Sequence, residues 1–252
     1  MPLQNIRASR FGRFAPDGRP LGVLGGMGPL ATAHFYRTIA SLTAAQADQQ
    51  HLPVVIWADP RVPDRTEFLL GRGQSPVWMM RKGINALEQA GARAVAIPCN
   101  TAHAFLPELQ AKTHLKILDM IRATMADVAT FHPDANCVGI LGTRGTRRAR
   151  LYESAAAEIG LGVCHVSEHD QSAMVDEAIS LVKRGERLDI AVQLIRSAAE
   201  ALRRDGADVA IAACTEIPLV MNQATQVLPI MDSVVSLATA CIREFDFEVA
   251  DL

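Results

Sequence analysis

The chain has 252 residues, 49% of them hydrophobic and 21% charged, with a formal net charge of −2. That is enough apolar content for a folded core, and too little positive charge to imply binding to nucleic acid or an anionic membrane. No apolar run nears the roughly 20 residues of a membrane span, and five cysteines without an export signal point to reduced thiols in the cytoplasm. Residues 1–20 carry Arg7, Arg10, Arg13 and Arg19 but lack the apolar stretch of a secretory signal, so they are expected to form a flexible extension. From Leu21 onward, short apolar runs alternate with amphipathic stretches. "LGVLGG" predicts a buried strand and "LATAHFYRTIASLTAAQAD" a helix. "LPVVIWAD" predicts a second strand, and "SPVWMMRKGINALEQAG" a helix that Gly91 ends. "ARAVAIPCN" predicts a third strand followed by a short helix at 102–111, then "LKILDM" a fourth strand and "IRATMADVATF" a helix. Such alternation predicts parallel strands covered on both faces.

The second half repeats this order. Leu24 matches Leu141, Cys99 matches Cys214 and Asp119 matches Asp232, all spaced by about 115 residues. The expectation is an α/β fold of two similar, mainly parallel domains related by a pseudo-twofold. Residues 21–118 with 233–252 form one domain and residues 119–232 the other. Ligand sites of open parallel sheets lie beyond the carboxyl ends of strands. Cys99 and Cys214 both occupy such ends, so the pseudo-twofold brings them face to face across an interdomain cleft.

Two opposed thiols can exchange a proton with a carbon acid held between them. Each cysteine precedes polar residues, Asn100–Thr101 and Thr215–Glu216, and then a helix start, whose free N–H groups favour a thiolate. One sulfur takes the α-proton from one face while the other delivers a proton to the opposite face, which inverts the configuration. This requires no metal and no cofactor if positive charge stabilises the carbanion.

The segments "LGGMGPLAT", "PDRTEF", "PCNTAHAF", "ILDM", "GILGT", "LVKRG" and "ACTEIPLV" run in order along nearly the whole chain. On these motifs the sequence resembles the cofactor-independent aspartate/glutamate racemases. The resemblance implies Cys99 and Cys214 as the acid/base pair, no pyridoxal phosphate, an amino-acid substrate and frequent dimerisation, hence a homodimer. It also implies that Arg65 of "PDRT" holds a substrate carboxylate and that Lys183 of "LVKRG" is a second cation. Met27 and Gly28 match the loop lining the pocket. Asn100, Thr101, Thr143, Thr146 and Thr215 match positions that bind the amino-acid head group, and Glu216 is placed to steer the protonation of Cys214. Ala213 stands where glycine is expected. The "PDRT" motif favours aspartate; glutamate and a broad range of amino acids are alternatives, as are a maleate cis–trans isomerase and a non-catalytic nucleotide- or metabolite-binding protein.

Other features carry plainer expectations. Cys137, Cys164 and Cys241 are expected to be buried and inert. His103 is either a core or capping residue or a partner of Cys99. No histidine has metal-ligand spacing, although His165 and His169 stand four apart. "GMGPLA" fits a dinucleotide fingerprint formally, with Asp59 as its acidic residue, but Asp59 lies farther along than usual. Lys82, Lys112, Lys116 and Lys183, the chain's lysines, sit in no setting suited to a Schiff base. Arg147, Arg148 and Arg150 form a basic cluster expected to be a solvated face.

Overall fold

The computed structural model describes residues 18–250; the expected N-terminal extension lies outside them apart from residues 18–20. In the first half, β1 (Leu21–Gly25), α1 (Pro29–Leu42), β2 (Val54–Ala58), α2 (Arg65–Leu69), α3 (Val77–Gln89), β3 (Ala94–Ala96), α4 (Leu106–Gln110) and β4 (Lys116–Leu118) succeed one another. Then α5 (Met120–Phe131) leads to β5 (Cys137–Gly142), α6 (Arg144–Arg148), α7 (Leu151–Glu158), β6 (Gly162–Cys164) and α8 (Glu168–Asp170). The second half continues with α9 (Glu177–Arg184), α10 (Leu188–Arg204), β7 (Val209–Ala213) and β8 (Ile230–Asp232), and α11 (Ser233–Glu244) follows.

These strands build two parallel four-stranded sheets, ordered β2-β1-β3-β4 and β6-β5-β7-β8. Leu21 pairs with both Val54 and Ala94, and Val138 with Val209, so the two sheets repeat one pattern. Every residue of β1 and β7 is buried, as expected of central strands covered on both faces. One face of the first sheet packs against α3 and α4 and the other against α1 and α11. In the second sheet, α5 and α7 cover one face, while α9 and α10 cover the other. The helices α5 and α11 also pack on each other, so the chain crosses between the halves where both begin.

The repeat extends to single hydrogen bonds. Asp119 caps α5, accepting from the N–H groups of Ile121 and Arg122. Asp232 caps α11 in the same way, accepting from Val234 and Val235. Side-chain caps of this kind satisfy backbone donors that a helix start leaves free. The strands and most helices stand where the apolar pattern puts them. One difference is α1, which stops at Leu42 instead of running on to residue 48. Thr43 takes an extended conformation, its hydroxyl bonds back to the Ile39 carbonyl at 2.8 Å, and it bridges to Val249. Cys241 is fully buried, but Cys137 and Cys164 lie only half-buried on the neighbouring strands β5 and β6, contrary to expectation. Among the described residues, no helix is long and apolar enough to cross a membrane.

Candidate active site

The carboxyl ends of four central strands converge. From β1 the chain enters the Gly26–Met27–Gly28 loop, from β3 it reaches Cys99, from β5 Thr143 and from β7 Cys214. Gly26 makes the first turn possible. Its φ is +89°, and a Cβ there would lie 2.5 Å from backbone atoms of Asp59. Only glycine meets both conditions without strain.

Cys99 and Cys214 stand in matching local structure. The Cys99 carbonyl accepts from the Ala102 N–H at 3.2 Å, and the Cys214 carbonyl accepts from the Ile217 N–H at 3.0 Å. Each residue is 6% exposed, yet both border one small cavity of about 20 Å³, shared with Met27, Arg65, Lys183 and Glu216. That is roughly the space of one water molecule. Asn100, Thr101, Thr143 and Thr215 complete its polar wall, with Asp64 and Thr66. Met27, Asp64, Arg65, Lys183 and Glu216 also border a wider cavity of about 400 Å³, whose remaining wall includes Gly28, Leu30, Val62 and Val182. Thr146 does not line the inner cavity. It is buried behind the wall, its hydroxyl 3.1 Å from that of Thr101 and 3.2 Å from that of Thr143. The three hydroxyls thus bond across the two halves.

The two thiols differ in their immediate partners. Cys214 Sγ donates to Glu216 Oε2 at 3.0 Å. Burial, then the neighbouring Glu216 carboxylate, push the Cys214 pKa well above the ordinary thiol value, while Lys183 partly offsets the rise. Position 101, the counterpart of Glu216 in the first half, holds threonine bonded to Thr143. Lys183 sits in the last turn of α9. Burial lowers its pKa, but Cys214, Glu216, Cys99 and Asp64 outweigh that effect and raise it.

Arg65 heads α2, with Asp64 capping the helix by accepting from the Glu67 N–H. Its guanidinium donates to the carbonyls of Val62, Pro63 and Met27 at 3.3, 3.2 and 3.1 Å. Its buried Nε–H has no hydrogen-bond partner among the described residues. Asn100 is held by two side chains around it. Its Oδ1 accepts from the Tyr152 hydroxyl at 2.6 Å, and its Nδ2 donates to Ser233 Oγ at 3.1 Å, which in turn donates to the Ala212 carbonyl.

His103 is a strut instead of a partner for the Cys99 sulfur. Its Nε2 accepts from the Met120 N–H at 3.0 Å, which fixes the proton on Nδ1, where it is donated to the Cys99 carbonyl at 3.0 Å. Burial lowers its pKa, keeping the ring neutral. The dinucleotide alternative loses its acidic residue, because the Asp59 carboxylate forms a two-pronged pair with Arg61. Asp64, Thr66, Tyr152 and Ser233 were not singled out in the sequence. Asp64 was recoverable as a helix cap just before Arg65; Tyr152 and Ser233 leave no local signal, since only tertiary packing brings them to Asn100.

Known proteins share this fold. A model of the Asp/Glu/hydantoin racemase family matches residues 24–241. The broad specificity amino-acid racemase RacX of Bacillus subtilis is 28% identical over 89% of this chain and 97% of its own. The structure of Picrophilus torridus aspartate racemase superposes with a TM-score of 0.82 at 29% identity, over 92% of this chain and 96% of that one. Glutamate racemase isoform RacE1 of Bacillus anthracis shares the fold, with a TM-score of 0.67 at 21% identity over 90% and 82% of the two chains. The duplicated parallel sheets, the thiols at matching strand ends and a family match across residues 24–241 together establish that this chain belongs to the Asp/Glu/hydantoin racemase family of isomerases.

Proposed function

We propose that this racemase interconverts the enantiomers of an acidic amino acid, aspartate or glutamate, by passing the α-proton between Cys99 and Cys214. The observation that carries this reading is one cavity bordered by both thiols and walled, apart from Met27, by polar and charged groups. Arg65 supplies a buried N–H without a partner among the described residues, the kind of donor a substrate carboxylate satisfies in charge-assisted geometry. Lys183 is a second cation at the same wall. Together they stabilise the negative charge that develops when the α-proton leaves.

Cys214, which holds its proton against Glu216, is the acid of the resting pair, and Cys99 is the base. In the reverse direction the roles exchange. The purified protein with L-aspartate, or with L-glutamate, and no added cofactor is expected to yield the D-enantiomer in chiral chromatography. Failure with both would remove the acidic-substrate reading. A broad-specificity reading has its own support in the wider cavity, whose Leu30, Val62 and Val182 can receive apolar side chains, and in the similarity to RacX. Turnover of neutral amino acids at rates matching aspartate would favour it.

The Glu216 carboxylate sets a pH dependence. Its charge and its hydrogen bond both raise the Cys214 pKa. Removing the charge in Glu216→Gln lowers that pKa, so the thiol acid is lost at lower pH. The alkaline limb of the pH–rate profile is therefore expected to move to lower pH in the direction where Cys214 donates. An unmoved or alkaline-shifted limb, read separately for each enantiomer, contradicts the assignment.

A further inference from the structure

A second cavity, of about 520 Å³, lies on the outer side of the seam between the halves. One wall is Leu70 and Arg72, just past the end of α2. The other is Arg144, Arg147 and Arg148 on α6, with Glu168 and Ser172 alongside. Four guanidinium groups thus face a lining with one carboxylate. That carboxylate is divided, Glu168 taking Arg144 at 2.6 Å and Arg147 at 3.0 Å. Arg144 is further held by Asp176 and Ser172, and Arg72 is paired with Glu67. The exposed side chain of Arg148 makes no hydrogen bond or ion pair among the described residues. Positive charge is therefore left over on the α6 wall.

The place of this groove gives it consequence. The helix α2 begins at Arg65 and α6 is capped by Thr143, so both walls carry residues of the inner cavity at their other ends. Between them the halves touch closely: a Cβ on Gly145 would lie 2.7 Å from Thr66 Oγ1 and 2.9 Å from Thr66 Cα. We propose that this arginine groove binds a compact polyanion, of the diphosphate or polycarboxylate class, which bridges Arg72 to Arg147 and Arg148 and holds the seam shut. Guanidinium groups suit such ligands because they offer paired donors with fixed charge. An anion that prefers the closed seam and a substrate enclosed by it tighten each other's binding. Turnover then slows because release requires the seam to open.

The site does not depend on the racemase reading, and calorimetry tests it without an activity assay. Titration of the full chain with pyrophosphate, at constant ionic strength, is expected to show saturable binding. Arg148→Glu should weaken it about tenfold or more, and the charge-matched control Arg204→Glu, on the far end of α10, should leave it unchanged. A parallel citrate titration separates the sources: equal binding assigns the groove to compact polyanions in general, and binding of pyrophosphate alone assigns it to phosphoryl groups. In turnover, the anion should lower kcat and KM together. Absence of binding, undiminished affinity in Arg148→Glu, or inhibition relieved by excess substrate overturns the proposal, the last because it places the anion on Arg65 and Lys183.

Discussion

Replacing Cys99 or Cys214 by serine is expected to slow racemisation by about 10²–10⁴-fold in both directions, the usual range for losing a positioned acid or base. That loss corresponds to roughly 3–5 kcal/mol of barrier. A hydroxyl is slightly smaller than the thiol and can still hydrogen-bond, but it is a far poorer acid and base at neutral pH. On the two-thiol proposal both directions must fall together, because each enantiomer then uses one sulfur to lose its proton and the other to regain it. The fold should survive. Both cysteines border a cavity as well as the buried clusters on either side of it, so the small change from thiol to hydroxyl leaves the packing largely intact, and a serine at 214 can still donate to Glu216. Chiral chromatography of both enantiomers, with thermal melts as a control for folding, provides the check. A variant that keeps full two-way activity removes its cysteine from the mechanism.

Gly145→Val is expected to reduce kcat/KM by about 10²-fold while the protein remains folded. The inner cavity, about 20 Å³, is too small for an amino acid, so on the proposed reading substrate binding requires the seam between its walls to adjust. Gly145 lies where they meet. A Cβ there would stand 2.7 Å from Thr101 Cγ2, 2.7 Å from Thr66 Oγ1 and 2.9 Å from the backbone Cα of Thr66. A hydroxyl can turn away, but a backbone carbon moves only with its helix, so the seam itself must widen. Overpacking of this kind costs about 1–3 kcal/mol. Displacing reacting groups by an ångström can cost about a hundredfold in rate. Gly145→Ala should fall between wild type and valine. Wild-type kcat/KM in the valine variant would show that closure does not pass through this contact.

Much of the architecture was legible because a buried parallel sheet writes itself as short apolar runs, and a duplicated one writes itself twice. Cys99 and Cys214, and the caps Asp119 and Asp232, matched at nearly one spacing before any coordinates. Arg65 and Lys183 were found through motifs. Contacts between the halves were not legible. Nothing local in "GTRG" announces that Gly145 must lack a side chain because Thr66 and Thr101 press against it. Nothing around Tyr152 points to Asn100, more than fifty residues away in the chain. Thr146 shows the limit from the other side: its motif placed it at the substrate, whereas the fold places it one layer behind, bonded to the hydroxyls of Thr101 and Thr143. The basic cluster faces solvent as expected, with Arg148 and Arg150 exposed; that Arg147 and Arg148 share a groove with Arg72 was not legible, because its opposite wall comes from residues far away in sequence.

The most direct test of two opposed thiols is the isotopic course of early turnover in D₂O. Starting from unlabelled L-aspartate, or whichever acidic amino acid turns over best, the first D-product should carry deuterium at Cα while the remaining L-substrate carries none. On the two-thiol account each proton leaves to one sulfur and its replacement arrives from the other. Deuterium entering recovered substrate as fast as product, or product that keeps its original hydrogen, would contradict the two-thiol account by indicating that a single group serves both faces.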